Sequence, residues 1–113
     1  MITRKSDMPL EIREKMRGGN GAAQLTALSA ERPAKLRLFS TIRLTPGSSI
    51  GYHVHEGETE MFYFLSGKGR VQDDDKLVDV AAGDSMATFS GHGHGVENTG
   101  DEDLLFVAVI VLD

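Results

Sequence analysis

The four histidines of the chain fall into two H-x-H clusters, His53/His55 and His92/His94. Imidazole titrates near neutral pH and is the commonest ligand for first-row divalent metals. In an extended strand, residues two apart point the same way. His53 and His55 then present two imidazoles to one point, with Val54 turned away. The chain turns at Glu56-Gly57-Glu58, and Glu60 opens a returning strand whose carboxylate can meet the histidines across the hairpin. Two imidazoles and a carboxylate suit a divalent transition metal. A pair of exposed histidines at a strand end is the alternative that spacing alone leaves open.

Other reactive chemistry is scarce. The chain has no cysteine, which excludes thiol nucleophiles, disulfides, thiolate zinc sites and iron–sulfur clusters. Ser90 beside His92 is a weak nucleophile–base pair. Glu56 and Glu58 fall in a turn and are expected to be solvated. By subtraction, a bound ion is the strong electrophile available.

Short strands must position these groups. Leu36 to Leu44 alternates, with Leu36, Leu38, Ser40, Ile42 and Leu44 facing a core and Arg37, Thr41 and Arg43 facing outward, away from the metal. Pro46-Gly47 ends that strand. Glu60 to Ser66 is a second strand, Gly67-Lys68-Gly69 a tight hairpin, and Asp73-Asp74-Asp75 a turn between residues 70–72 and 76–80. Further strands cover 85–89, 96–98 and 104–112. Turns every 8–12 residues are the pattern of an all-β sandwich or barrel. Leu104 to Leu112 is apolar on both faces, and a second subunit is expected to cover one of them. Residues 7–19 fit either a short helix or, through Leu10 and Ile12, a strand. Ala22 to Leu28 reads as a strand.

A chain of 113 residues at 12.3 kDa is one domain. Its net charge of −5 argues against a general nucleic-acid partner. That charge is uneven: residues 1–46 carry nine basic groups against four acids, and residues 47–113 carry three against thirteen. No signal peptide follows Met1, and the longest apolar run is nine residues, too short to span a bilayer. The reading is a cytoplasmic protein without a membrane partner.

The histidine clusters resemble the two motifs of the cupin superfamily, in particular the small single-domain bacterial cupins distantly related to oxalate decarboxylases and germins. Gly47, His53, His55, Glu60 and Gly67 match G-x5-H-x-H-x4-E-x6-G. Gly83, Gly91, His94 and Asn98 match G-x5-P-x-G-x2-H-x3-N, with Phe89 in the proline position. The resemblance covers about residues 36–112. It implies an all-β double-stranded β-helix, or jelly roll, over residues 36–113. Residues 1–35 lie outside it as an N-terminal extension; the two-sided apolar strand 104–112 and the basic first segment beside an acidic remainder lead to the expectation of a homodimer in which that extension contacts the partner subunit.

The resemblance also implies one divalent transition-metal ion (Mn, Fe, Ni, Co or Zn) held by His53, His55, Glu60 and His94. His92 is then a rim residue. Parity places Phe62, Phe64, Val96 and Asn98 inward, and Ile50 and Phe89 stand near the first and second motifs. Ile50, Phe62, Phe64, Phe89, His92 and Val96 are therefore expected to line an apolar pocket for a small molecule. Core packing is the alternative for Phe62, Phe64 and Val96. Oxalate-handling cupins tend to carry an arginine where this chain has Ile50, although small cupins with a similar Pro46-Gly47-Ser48-Ser49 segment are often called oxalate-related. The expected function is metal-dependent catalysis on a small oxygenated or carboxylate-bearing molecule, of decarboxylase, isomerase or dioxygenase type. The alternative is a non-catalytic binding or sensing module.

Overall fold

Every segment between the glycine and aspartate turns after Thr45 is extended, and the computed structural model, which describes residues 1–113, pairs these strands into two antiparallel sheets. In chain order they are β1 (Leu10–Glu14), β2 (Ala22–Ala27), β3 (Leu36–Leu44), β4 (Ser49–Val54) and β5 (Glu58–Ser66). There follow β6 (Lys68–Asp73), β7 (Lys76–Ala81), β8 (Ser85–Thr88), β9 (Gly93–Asn98) and β10 (Leu104–Leu112). One sheet runs β1-β2-β3-β10-β5-β8, the other β4-β9-β6-β7. Together they form the double-stranded β-helix that the motifs imply. No helix is long and apolar enough to cross a membrane.

The alternation read in β3 holds in its second half, where Ser40, Ile42 and Leu44 are buried. β10 lies between β3 and β5 and buries Leu104, Phe106, Ala108 and Ile110. The Phe106 ring packs 4.7 Å from Phe62 and 5.2 Å from Phe64, centroid to centroid, so three aromatic residues fill the space between the sheets. Ile50, Val71, Val80 and Val96 close this core from the second sheet.

The glycines of both motifs are turn residues. Gly47, Gly67, Gly83 and Gly91 all have φ between +83° and +95°, which side-chain-bearing residues rarely adopt. At Gly67 a Cβ would also overlap the Asp103 carbonyl. Gly67-Lys68-Gly69 is not the hairpin expected from the sequence. β5 and β6 belong to different sheets, and Gly67 is where the chain crosses between them. The Asp73-Asp74-Asp75 turn is a true hairpin, joining β6 to β7 around Asp74 at φ 53°.

The N-terminal segment adds two strands to the larger sheet. β2 pairs with β3, and its Ala23 and Leu25 join the same core as Phe62 and Phe106. Of the two readings of residues 7–19, the strand prevails over 10–14, because β1 pairs with β2 from Leu10↔Thr26 to Glu14↔Ala22. Only single 3-10 turns occur, at Lys5–Asp7 and Met16–Gly18.

Phe106→Ala should therefore lower unfolding free energy by about 3–5 kcal/mol in urea titrations, because it empties the centre of a packed aromatic cluster. Leu77→Ala, at a position 69% exposed, should change it by less than about 0.5 kcal/mol.

Candidate metal centre

β4 and β9 lie side by side in the smaller sheet, and their register sets His53 opposite His94. His55 follows the end of β4, tied to the next turn by backbone hydrogen bonds with His92 and Gly91. Glu60 comes from β5 in the other sheet. The carboxylate thus meets the imidazoles across the gap between sheets, and not across a hairpin as the sequence reading has it.

The four ligand-type atoms all lie within 4.8 Å of one another. His55 Nε2 is 3.1 Å from His94 Nε2, and Glu60 Oε1 is 3.1 Å and 2.9 Å from the same two nitrogens. The outer nitrogen of each ring has its own partner. His53 Nδ1 is 2.8 Å from the Gly51 carbonyl, His55 Nδ1 is 2.7 Å from Glu58 Oε2, and His94 Nδ1 is 2.8 Å from Thr88 Oγ1. A carbonyl can only accept, so His53 carries its proton on Nδ1 and turns the Nε2 lone pair inward. Burial lowers the His53 pKa, outweighing the Gly51 hydrogen bond that raises it. Glu58 is held ionised chiefly by its hydrogen bonds from Arg37, so it accepts the Nδ1 proton of His55. Phe62 stacks on His94 at 4.9 Å and 17° and fixes the plane of that ring.

Inward lone pairs beside a carboxylate repel one another unless a positive charge lies among them. A set of imidazole nitrogens and one carboxylate oxygen, each ring held from behind, fits a first-row divalent ion by its donor chemistry.

A β-bulge shapes each side of this cluster. β4 pairs Ile50 with Val96 and His53 with His94, which leaves one extra residue in β4 at Gly51-Tyr52. That residue reverses the strand's alternation, so Ile50 and His53 both face inward although they differ in parity. The second bulge is in β3. Ile110 pairs with Leu38 and Val111 with Leu36, so Arg37 is skipped. Arg37 was expected on the outer face. The bulge re-aims it to the cavity, where its guanidinium donates to Glu58 at 2.9 and 2.8 Å.

The cavity above the cluster holds about 70 Å³ of free space, far below the roughly 300–1,000 Å³ of drug-sized sites, so it takes a ligand of only a few atoms. Ile50, Phe62 and Val96 line it, with Leu25, Ile42 and Ile110. Arg13, Arg17 and Arg37 are its cationic lining. Three expected pocket residues lie elsewhere. Phe64 is fully buried in the core beneath Phe62. Phe89 is 61% exposed on the loop after β8, because the turn carries it outward. His92 turns its Nδ1 to Asp74 at 2.6 Å on the β6–β7 side, and that hydrogen bond raises its pKa. Asn98 is buried but structural: its amide donates to the Leu44 and Glu102 carbonyls and accepts from Gly100 N–H.

A family model described as "Cupin domain" matches residues 40–110. The chain belongs to the cupin family. An oxalate-binding protein of Thermotoga maritima is 45% identical over 114 residues, covering 99% of this cupin and 94% of the relative. The crystal structure of a predicted oxalate decarboxylase from the same organism superimposes with a TM-score of 0.94 at 44% identity, over 100% of both chains. KdgF from Halomonas shares the fold at a TM-score of 0.82 and 14% identity, covering 100% of this chain and 94% of that one.

Sequence reasoning missed Glu58, Thr88 and the arginines around this cupin's cavity. Glu58 had a usable signal, since it shares parity with Glu60 and so faces inward at the mouth of the barrel. Thr88 and Arg17 had none, because their partners are distant in sequence. Glu58→Gln should weaken metal affinity about 10- to 100-fold in chelator competition. His92→Ala, which alters only the outer Asp74 contact, should leave it unchanged.

Proposed function

We propose that the chain holds one divalent transition-metal ion through His53, His55, Glu60 and His94 and binds a small dicarboxylate of the oxalate type at that centre. The convergence of the His55 and His94 Nε2 atoms and Glu60 Oε1 within 3.1 Å of one another carries this reading. A bound ion supplies a Lewis-acidic centre for carboxylate oxygens. The protein's own part is to hold the rings, exclude bulk water with Ile50, Phe62 and Val96, and surround the ligand with positive charge. The small cavity and its arginines match a compact anion, as does the printed name of the 45% identical relative.

Binding without turnover is the better-supported form of the function. Decarboxylation needs a group that delivers a proton to carbon. The imidazoles and the carboxylate lining the cavity all belong to the four-donor cluster, and Glu58 is committed to Arg37 and His55. The complete donor set, together with the relative described as a predicted oxalate decarboxylase, supports catalysis as the second reading.

Elemental analysis after reconstitution should find about one ion per chain. Glu60→Ala and His94→Ala should lose it and His92→Ala should keep it. Calorimetry should show oxalate binding to the loaded protein only. A chain that takes up none of Mn, Fe, Ni, Co or Zn sinks the proposal, and release of formate or carbon dioxide moves it to the catalytic reading.

Assembly belongs to the same proposal. The outer side of the larger sheet carries apolar rows, Phe39–Val109–Met61 and Thr41–Val107–Tyr63, with Met61 and Tyr63 about half exposed. A second copy packed on this face forms a homodimer, and the exposed Leu10 and Ile12 of β1 extend the contact. Light scattering should return twice 12.3 kDa, and Val109→Asp should halve it; a monomeric wild type at micromolar concentration ends the idea.

A further inference from the structure

Of the three arginines that line the cavity, two are already paired with carboxylates. Arg13 donates to Glu11 at 3.0 and 3.1 Å, and Arg37 to Glu58 at 2.9 and 2.8 Å. Arg17 has no ion pair. It lines the same cavity as His53, His55, Glu60 and His94.

The backbone holds Arg17 there. Lys15 and Arg17 both have left-handed φ, 50° and 54°, a strained conformation for a non-glycine residue that persists where the surroundings enforce it. The enforcement is visible. Asn20 and Ser49 exchange hydrogen bonds of 2.8 and 2.9 Å, and Lys15 N–H donates to Gly21 O at 2.8 Å. Gly19 and Gly51 let the two backbones touch: a Cβ on Gly19 would overlap the Ser49 carbonyl, and one on Gly51 the Arg17 carbonyl. The Met16–Gly18 turn is thereby clamped onto β4 at its bulge, two residues from His53.

Charge then selects the ligand. Around a divalent ion, neutral imidazoles bring no charge and Glu60 brings one negative charge. Arg17, exposed at the rim, adds one positive charge, so the loaded site carries two net positive charges around a space for a few atoms. We infer that Arg17 is a specificity-determining residue that grips the ligand's carboxylate and makes the site selective for a small dianion over a monoanion of the same shape. This rests on the metal-and-dicarboxylate reading above.

Oxalate and oxamate test it, because they share a size and differ by one charge. Calorimetry on the metal-loaded protein should show wild type preferring oxalate. Arg17→Gln should lose about 10- to 100-fold of oxalate affinity, the scale of a hydrogen bond to a charged group, and change oxamate affinity less than about threefold. Metal content and melting temperature should stay at wild-type values, and Arg17→Lys should recover part of the loss. Gly19→Ala, which keeps the arginine but lifts the turn off β4, should reproduce the loss of discrimination. Unchanged oxalate affinity in Arg17→Gln, equal weakening of both ligands, or loss of the metal would each overturn the assignment while leaving the metal-site reading standing. Failure of loaded wild type to bind either ligand would overturn both.

Discussion

The cluster of His53, His55, His94 and Glu60 gathers its donor atoms within 4.8 Å, and those of His55, His94 and Glu60 within 3.1 Å, in a place that admits little water. Electron-rich atoms at that separation do not stay together by themselves. Each of the three rings is held from outside, by the Gly51 carbonyl, by the Glu58 carboxylate and by the Thr88 hydroxyl. Those supports lie on different strands. The donors also come from both sheets, so the site exists only while the two sheets are clasped; beneath it Phe62, Phe64 and Phe106 of the larger sheet share one core with Ile50, Val71 and Val96 of the smaller. Phe62 serves both ends of that chain of dependence, packing on Phe106 below and stacking on His94 above.

Two departures from regular strand geometry place the remaining groups. A perfect β4 would turn either Ile50 or His53 away from the cavity. The extra residue at Gly51-Tyr52 points both inward and also supplies the carbonyl that fixes the His53 tautomer. A perfect β3 would leave Arg37 on the outer surface. The bulge beside Val111 brings it to Glu58. Bulges beside functional sites re-aim side chains in this way.

Charge is arranged in pairs around one exception. Arg37 keeps Glu58 ionised, and Glu58 in turn holds the proton of His55, so one arginine acts on the donor cluster through a single intermediary. Arg13 is absorbed by Glu11. Arg17 alone faces the cavity with its charge uncompensated. The basic N-terminal segment and the acidic remainder of the chain thus meet at the site within one subunit, where the barrel contributes the carboxylates and the first strands contribute cations.

Local sequence was enough to read the all-β class and three of the four clustered donors, while the jelly roll and His94 came with the resemblance of the two motifs to cupins. His53, His55 and Glu60 are close in the chain, and the motif glycines mark turns that need positive φ, so both signals survive without any tertiary knowledge. The alternation of β3 and the both-sided apolar character of β10 were legible for the same reason: burial in a strand has a period of two. That period also misled. It put Arg37 outside, and it cannot register a bulge, which depends on how a partner strand pairs. It put Phe64 in the pocket, where parity is right but depth along the barrel is wrong. His92 and His94 share parity in an extended chain, and only the β6–β7 hairpin, by placing Asp74 beside His92, separates them. Arg17 reaches the cavity through a left-handed turn clamped by Gly19 and Gly51, residues 32 positions apart in the sequence. Contacts over such distances are settled by packing, which no local pattern records.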